Sequence, residues 1–221
     1  MKQFIKVQIF AFLFYAALVF SGAGTFFWLE GWLFLFAMLS MWLLIFKSLD
    51  GEKLIHESLK KIKSVESNSF FSSLSCLCLL SSFWLFINGV DTARYDLSDI
   101  TTLQQIIGGT LFMVSLFVIY WSLKVDLMSK FSRRKKKLNK VMVAEYGPYV
   151  FIRHPMYCAS CLMLPSASFM MGSVLGVLVS IFIIVYLLFH THLEDQQLKK
   201  EFKQYHVYSE QVHYRLLPYI W

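Results

Sequence analysis

The chain has 221 residues, of which 57% are hydrophobic, 18% aromatic and only 16% charged. Its apolar residues fall in runs long enough to cross a bilayer, which excludes an ordinary soluble domain. The formal net charge of +7 is carried by loops between those runs, so it speaks for membrane orientation and against nucleic acid as a partner.

The sequence predicts an all-α polytopic membrane bundle of about five to six transmembrane helices plus a C-terminal amphipathic helix. The first apolar segment runs from about Phe4 to Phe20 and is expected to be an uncleaved span, because no small-x-small cleavage site precedes the next apolar run. The second runs from about Phe26 to Phe46, the third covers roughly Phe70–Ile87 and the fourth Leu103–Leu123. A helical hairpin follows, about Met156–Met171 and Ser173–Phe189, with a turn expected around Pro165–Ser173. Its arms are short against the ~20 residues of a full crossing. Beyond it, Leu198, Phe202, Tyr205, Tyr208 and Val212 recur at helical spacing among charged residues. That pattern predicts an amphipathic helix over Leu193–Val212, lying on the membrane or folded back onto the bundle. The polar loop Asp50–Asn68 is expected to hold a short interfacial helix.

With six crossings, every lysine and arginine except Arg94 falls on one side of the membrane. Arg94 shares its loop with Asp91, Asp96 and Asp99. The positive-inside rule then places both termini and the basic run Lys130–Lys140 in the cytoplasm. The four cysteines all lie in apolar segments, and the pair Cys158 and Cys161 lacks a second pair or a histidine at zinc spacing. They read as small packing residues, and no metal site is expected. The aromatic stripe Phe26, Phe27, Trp28, Trp32, Phe34 and Phe36 reads as lipid-facing or packing.

The candidate site is Gly147–Tyr157, which sets two prolines, two tyrosines, an arginine and a histidine between the basic run and the hairpin. Pro148 and Pro155 each remove a donor and push the preceding residue out of helical geometry. A shaped, partly non-helical entry into a membrane helix follows. Such backbone is tolerated at that depth only where protein buries it or it lines a cavity. His190, Glu194 and Leu198 share a face if the sixth helix continues, so Glu194 needs a partner.

Gly147-Pro-Tyr, Arg153-His-Pro-Met-Tyr157, Glu194-Asp195-x-x-Leu198, Tyr205-x-x-Tyr208 and the ending Tyr214-Arg-Leu-Leu-Pro-Tyr-Ile-Trp221 resemble the isoprenylcysteine carboxyl methyltransferases, a family that shades into the phospholipid N-methyltransferases. The likeness covers roughly the last 80 residues, and Gly89-Val-Asp-Thr-Ala-Arg-Tyr95 resembles a loop of bacterial relatives. The resemblance implies an integral-membrane enzyme that binds S-adenosylmethionine at the cytoplasmic edge and methylates a lipidic or small acceptor. It implies residues 1–123 as N-terminal transmembrane helices and 124–221 as the cofactor-binding region of one integrated domain. The cofactor positions it implies are Val141, Met142, Val143, Ala144, Tyr149, Arg153, His154, Pro155, Met156, Tyr157 and Glu194. Arg153 and His190 are the residues expected at the reaction, His190 also at the acceptor.

These residue types suit the cofactor. A guanidinium such as Arg153 can hold a carboxylate bidentately, Glu194 can take an amino group or ribose hydroxyls, and tyrosine faces suit a cation or adenine. No Gly-x-Gly-x-x-Gly follows a strand, so a soluble dinucleotide-type methyltransferase fold is not available. The family carries arginines where this chain has His190 and His192, which trades a permanent charge for a group that switches near neutral pH. His190 therefore either weakens a clamp on an anionic acceptor or supplies a base. Two other readings share parts of the pattern: a membrane sterol or steroid reductase using NADPH, and a catalytically degenerate scaffold. The reductases differ in tending to carry asparagine where this chain has Met156.

Overall fold

The computed structural model describes residues 2–48, 68–135 and 146–218. Its helices are α1 (Lys2–Ala23), α2 (Leu29–Ser48), α3 (Asn68–Gly89), α4 (Thr102–Lys135), α5 (Pro155–Met171), α6 (Val174–Glu201) and α7 (Lys203–Gln211). A π-helical turn, Val90–Arg94, extends α3, and a 3-10 turn, Gly147–Val150, precedes α5. No strand occurs among the described residues. Four stretches are long and apolar enough to cross a membrane: Leu29–Lys47, Cys76–Arg94, Thr102–Asp126 and Val174–Glu201. Phe12–Ala23 is a shorter apolar one. Phe27 is fully exposed and Phe26, Leu33 and Phe36 largely so. An aqueous protein hides such side chains, and a bilayer accommodates them. The chain is an integral membrane protein built as a helical bundle.

One expectation is narrowed and another corrected. Within the stretch Pro165–Ser173 expected to turn, Pro165 lies inside α5; the hairpin reverses at Gly172, whose φ of +85° suits a residue without a side chain. The Gly172 amide donates to the Phe169 carbonyl (3.1 Å) and the Ser173 amide to that of Ser168 (2.9 Å). This pair of bonds closes a helix C-terminus without leaving its last carbonyls bare. Second, the polar stretch after the sixth apolar run does not form one separate helix. α6 continues to Glu201, Phe202 breaks it in extended conformation, and α7 begins at Lys203. The sixth helix is thus 28 residues long and carries its charged end beyond the apolar part. The loop 49–67, with its expected interfacial helix, lies outside the described residues, as do residues 136–140 of the basic run.

The chain divides into two compact units, Met1–Gly109 with Pro165–Ile183, and Thr110–Leu164 with Ile184–Trp221. In the first, α1 and α3 cross closely: a Cβ on Gly89 would lie 2.8 Å from the Val19 carbonyl oxygen. Phe34 and Trp84 pack with ring centroids 6.1 Å apart. Trp84 Nε1 donates to Ser168 Oγ at 2.9 Å and to the Gly176 carbonyl at 3.1 Å. The start of α6 has all its leading amides satisfied. Val174 N donates to Ser98 Oγ (3.0 Å), Leu175 N to Asp91 Oδ2 (3.0 Å) and Gly176 N to Ser173 Oγ (2.7 Å). The Ser98 and Ser173 hydroxyls also donate to Asp91 Oδ2, each at 2.6 Å. A carboxylate at a helix N-terminus is favoured by the helix dipole as well as by these bonds. Asp91 and Asn88 are fully buried there.

In the second unit Phe112, Leu116, Val125, Ile152, Ala159, Leu164, Leu187, Tyr205, Tyr208 and Leu216 are buried. That core surrounds the residues described next.

Candidate active site

The entry to α5 begins with Gly147 at φ +66°, a left-handed value that favours glycine. A Cβ there would also meet Val125 Cγ2 at 2.8 Å. Pro148 sits at the start of the 3-10 turn, and its carbonyl accepts from the amides of Phe151 (3.2 Å) and Ile152 (3.3 Å). The backbone then leaves helical geometry until Pro155, which opens α5. Proline is at home there, because the first amide of a helix has no intrahelical partner. The amides of Arg153 and His154 need acceptors outside the segment. They find them on the C-terminal segment: Arg153 N donates to Tyr214 O and His154 N to Arg215 O, both at 2.9 Å. Tyr208 adds a third tie, its hydroxyl donating to the Tyr149 carbonyl at 2.7 Å.

The side chains divide into two clusters on α6. One centres on Asp195, which is fully buried. Arg153 donates Nε to Asp195 Oδ1 (2.8 Å) and Nη2 to Oδ2 (3.0 Å), while its Nη1 serves the carbonyls of Val212 (2.7 Å) and His213 (2.9 Å). Tyr205 donates its hydroxyl to Asp195 Oδ1 at 2.7 Å, and His154 Nε2 lies 3.3 Å from the same oxygen. Arg215 Nε (3.1 Å) and Lys199 Nζ (3.6 Å) complete the Oδ2 side. Burial pushes the Tyr205 phenol well above its ordinary range, and its bond to Asp195 raises it further. It therefore stays a neutral donor. A buried carboxylate is tolerable only when its oxygens are filled in this way.

The other cluster lies one residue away on α6, about 100° around the helix. Tyr157 donates its hydroxyl to Glu194 Oε2 at 2.7 Å and lies 3.3 Å from His190 Nδ1. His190, Glu194 and Tyr186 share a helix face, and the Tyr186 ring is 6.1 Å from that of His190. His154 and Tyr157 are 5.9 Å apart, as are Tyr157 and His190. Tyr149 is half-buried. Burial raises its phenol first and the nearby negative charge of Asp126 next, with Tyr208 and Glu194 adding smaller effects. His192 occupies a separate position, with Nδ1 3.2 Å from Arg215 Nη1 and Nε2 2.9 Å from Gln196 Nε2.

Of the sequence-predicted residues, the structure brings Arg153, His154, Tyr157, His190 and Glu194 together, with Pro155 buried and Met156 half-buried at the helix start. Val141, Met142, Val143 and Ala144 lie outside the described residues. Arg153 has partners other than those expected, since Asp195 occupies both points of its fork. The acid on the buried face is Asp195, whereas Glu194 is half-buried. Asp195, Tyr205, Tyr208 and Arg215 were absent from the expected site, although each stands in the motifs Glu-Asp, Tyr-x-x-Tyr and Tyr-Arg. Among the described residues no group of three histidine, cysteine, aspartate or glutamate side chains is placed to hold a metal.

A half-buried acid beside aromatic faces, at a non-helical entry between membrane helices, suits a ligand with an amino group, a sulfonium and a flat base. The residues present fit S-adenosylmethionine through Glu194, Tyr149 and Tyr157, and not through a free Arg153 fork.

Residues 103–205 match the family described as phospholipid methyltransferase. The matched segment contains Arg153, His154, Tyr157, His190, Glu194, Asp195 and Tyr205. The match supports an integral-membrane methyltransferase. The chain carries a phospholipid methyltransferase domain at residues 103–205, within the group of membrane methyltransferases that includes the isoprenylcysteine carboxyl methyltransferases. A comparison with curated proteins found no match to the chain.

Proposed function

We propose that this protein transfers a methyl group from S-adenosylmethionine to an acceptor that reaches the site from the bilayer. The observation that carries the reading is the Tyr157–Glu194–His190 cluster, set where α5 begins and α6 leaves its apolar stretch. The bound cofactor supplies an electrophilic methyl on a sulfonium. The chain's part is positioning and exclusion of water, which accounts for much of the acceleration available to an in-line displacement.

Glu194 takes the amino group, Tyr149 and Tyr157 offer ring faces, and Pro155 and Met156 wall the site. Val141–Ala144 is the approach segment. Arg153 and His154 hold the entry in shape through Asp195 instead of clamping the carboxylate. His190 faces the acceptor. The isoprenylcysteine-type carboxylate is the acceptor closest to the sequence resemblance, and lipid amines and small thiols have the same access. The excess of lysine and arginine in the loops on one side supports a cytoplasmic site and cytoplasmic termini.

The test is calorimetric titration of detergent-purified protein with S-adenosylmethionine and, separately, NADPH. Binding of the first alone supports this reading. Binding of NADPH alone replaces it with a reductase, and binding of neither replaces it with a scaffold.

A further inference from the structure

The hydrogen bonds around Tyr157 favour one tautomer of His190. The Tyr157 hydroxyl has one proton and two polar neighbours, Glu194 Oε2 at 2.7 Å and His190 Nδ1 at 3.3 Å. A carboxylate accepts only, so the tyrosine proton points to Glu194. The contact with His190 then runs the other way, with Nδ1 carrying the hydrogen and donating it to the tyrosine oxygen. In a neutral imidazole this leaves the lone pair on Nε2. The Tyr157 and Tyr186 rings pack near the imidazole, with centroids at 5.9 Å and 6.1 Å. The arrangement is a base oriented by a hydroxyl that an acid in turn orients, the logic of an activated nucleophile site.

We propose that His190 Nε2 is the base that removes a proton from the methyl acceptor, and that the acceptor is accordingly an amine or a thiol. The proposal rests on the methyltransferase reading above. A carboxylate at neutral pH brings no proton and asks for a cation opposite it. The two guanidinium groups of this region, Arg153 and Arg215, both turn donors to Asp195. The acid one turn from His190 is Glu194, assigned above to the cofactor's amino group, and it offers an anionic acceptor no counter-charge.

The step balances without a further reactant. The proton on the attacking nitrogen or sulfur passes to Nε2, and the lone pair it leaves forms the bond to the methyl carbon. The electrons of the breaking carbon–sulfur bond return to sulfur, turning a sulfonium into a neutral thioether. The imidazolium then releases its proton to water. Positive charge is conserved throughout.

Two experiments test this. In protein labelled with nitrogen-15 histidine, two-bond couplings read the tautomer, and the His190 signal is the one lost in His190→Gln. Nδ1–H in the parent and a mixture of tautomers in Tyr157→Phe are expected; Nε2–H in the parent overturns the proposal. The second uses dodecylamine, dodecanethiol and dodecanoate in mixed micelles with radiolabelled S-adenosylmethionine. Label in the amine or thiol, with turnover lowered ~10²-fold or more in His190→Gln and cofactor affinity unchanged, is expected for loss of a general base. Label in dodecanoate, parental turnover in His190→Gln, or cofactor binding with no probe labelled each overturns it. Failure to bind S-adenosylmethionine at all overturns the methyltransferase reading first, and the base assignment falls with it.

Discussion

Asp195 holds Arg153 at two points, Oδ1 to Nε at 2.8 Å and Oδ2 to Nη2 at 3.0 Å, with both side chains almost wholly buried. A planar fork on a carboxylate is the strongest geometry an ion pair offers. It turns a residue that the sequence marks for ligand binding into one that fixes the backbone before α5. Removing one partner strands the other charge, so Asp195→Ala is expected to cost ~3–5 kcal/mol of stability. Thermal unfolding in detergent, compared between Asp195→Ala, Arg153→Ala and the double variant, checks this. The double variant is expected to lose less than the sum of the two.

The C-terminal segment closes the same region. Arg153 N and His154 N donate to Tyr214 O and Arg215 O at 2.9 Å. Deleting residues 212–221 leaves both amides and Arg153 Nη1 without these acceptors. Amide exchange at Arg153 and His154 is expected to rise ~10-fold or more in the truncated protein, as opening costs less once the bonds are gone. Unchanged exchange would show that the pairing is not formed in solution.

Much of this was legible in the sequence. The apolar runs predicted the helices, and two prolines seven residues apart marked the non-helical entry before Pro155. The turn expected over Pro165–Ser173 narrowed to Gly172 and Ser173, with Pro165 inside α5. A proline inside a membrane helix is accommodated by its surroundings, while Gly172 and Ser173 carry the reversal. Glu194 was read as the buried acid because it shares a stripe with His190. Adjacent residues on a helix differ by about 100°, and tertiary packing decided that Asp195 is the one turned inward. The tie between Arg153 and Val212 joins positions far apart in sequence, and no local pattern encodes it.

Asp91 organises the other unit. Its Oδ2 receives Ser98 Oγ and Ser173 Oγ at 2.6 Å and Leu175 N at 3.0 Å. Asp91→Ala leaves the buried Ser173 hydroxyl and the part-buried Ser98 hydroxyl and Leu175 amide without this acceptor, at a cost of ~1–3 kcal/mol. The expected outcome is a lower unfolding temperature with S-adenosylmethionine affinity unchanged once folded. A loss of affinity without loss of stability contradicts the role given to Asp91.

Gly147 is held at φ +66° with Val125 Cγ2 in the space a side chain would need. Gly147→Ala is expected to destabilise by ~1–2 kcal/mol from backbone conformation alone, read as a shift in the unfolding midpoint. No shift would mean that the turn has another conformation in solution.

Isothermal titration with S-adenosylmethionine tests whether Glu194 and Tyr157 form the cofactor site. Saturable binding by the parent protein and loss of binding in Glu194→Ala are expected. Tyr157→Phe should bind ~10-fold more weakly, as expected for one lost hydrogen bond to a charged group, and Asp91→Ala should bind like the parent. Equal affinity in the parent and Glu194→Ala would contradict it.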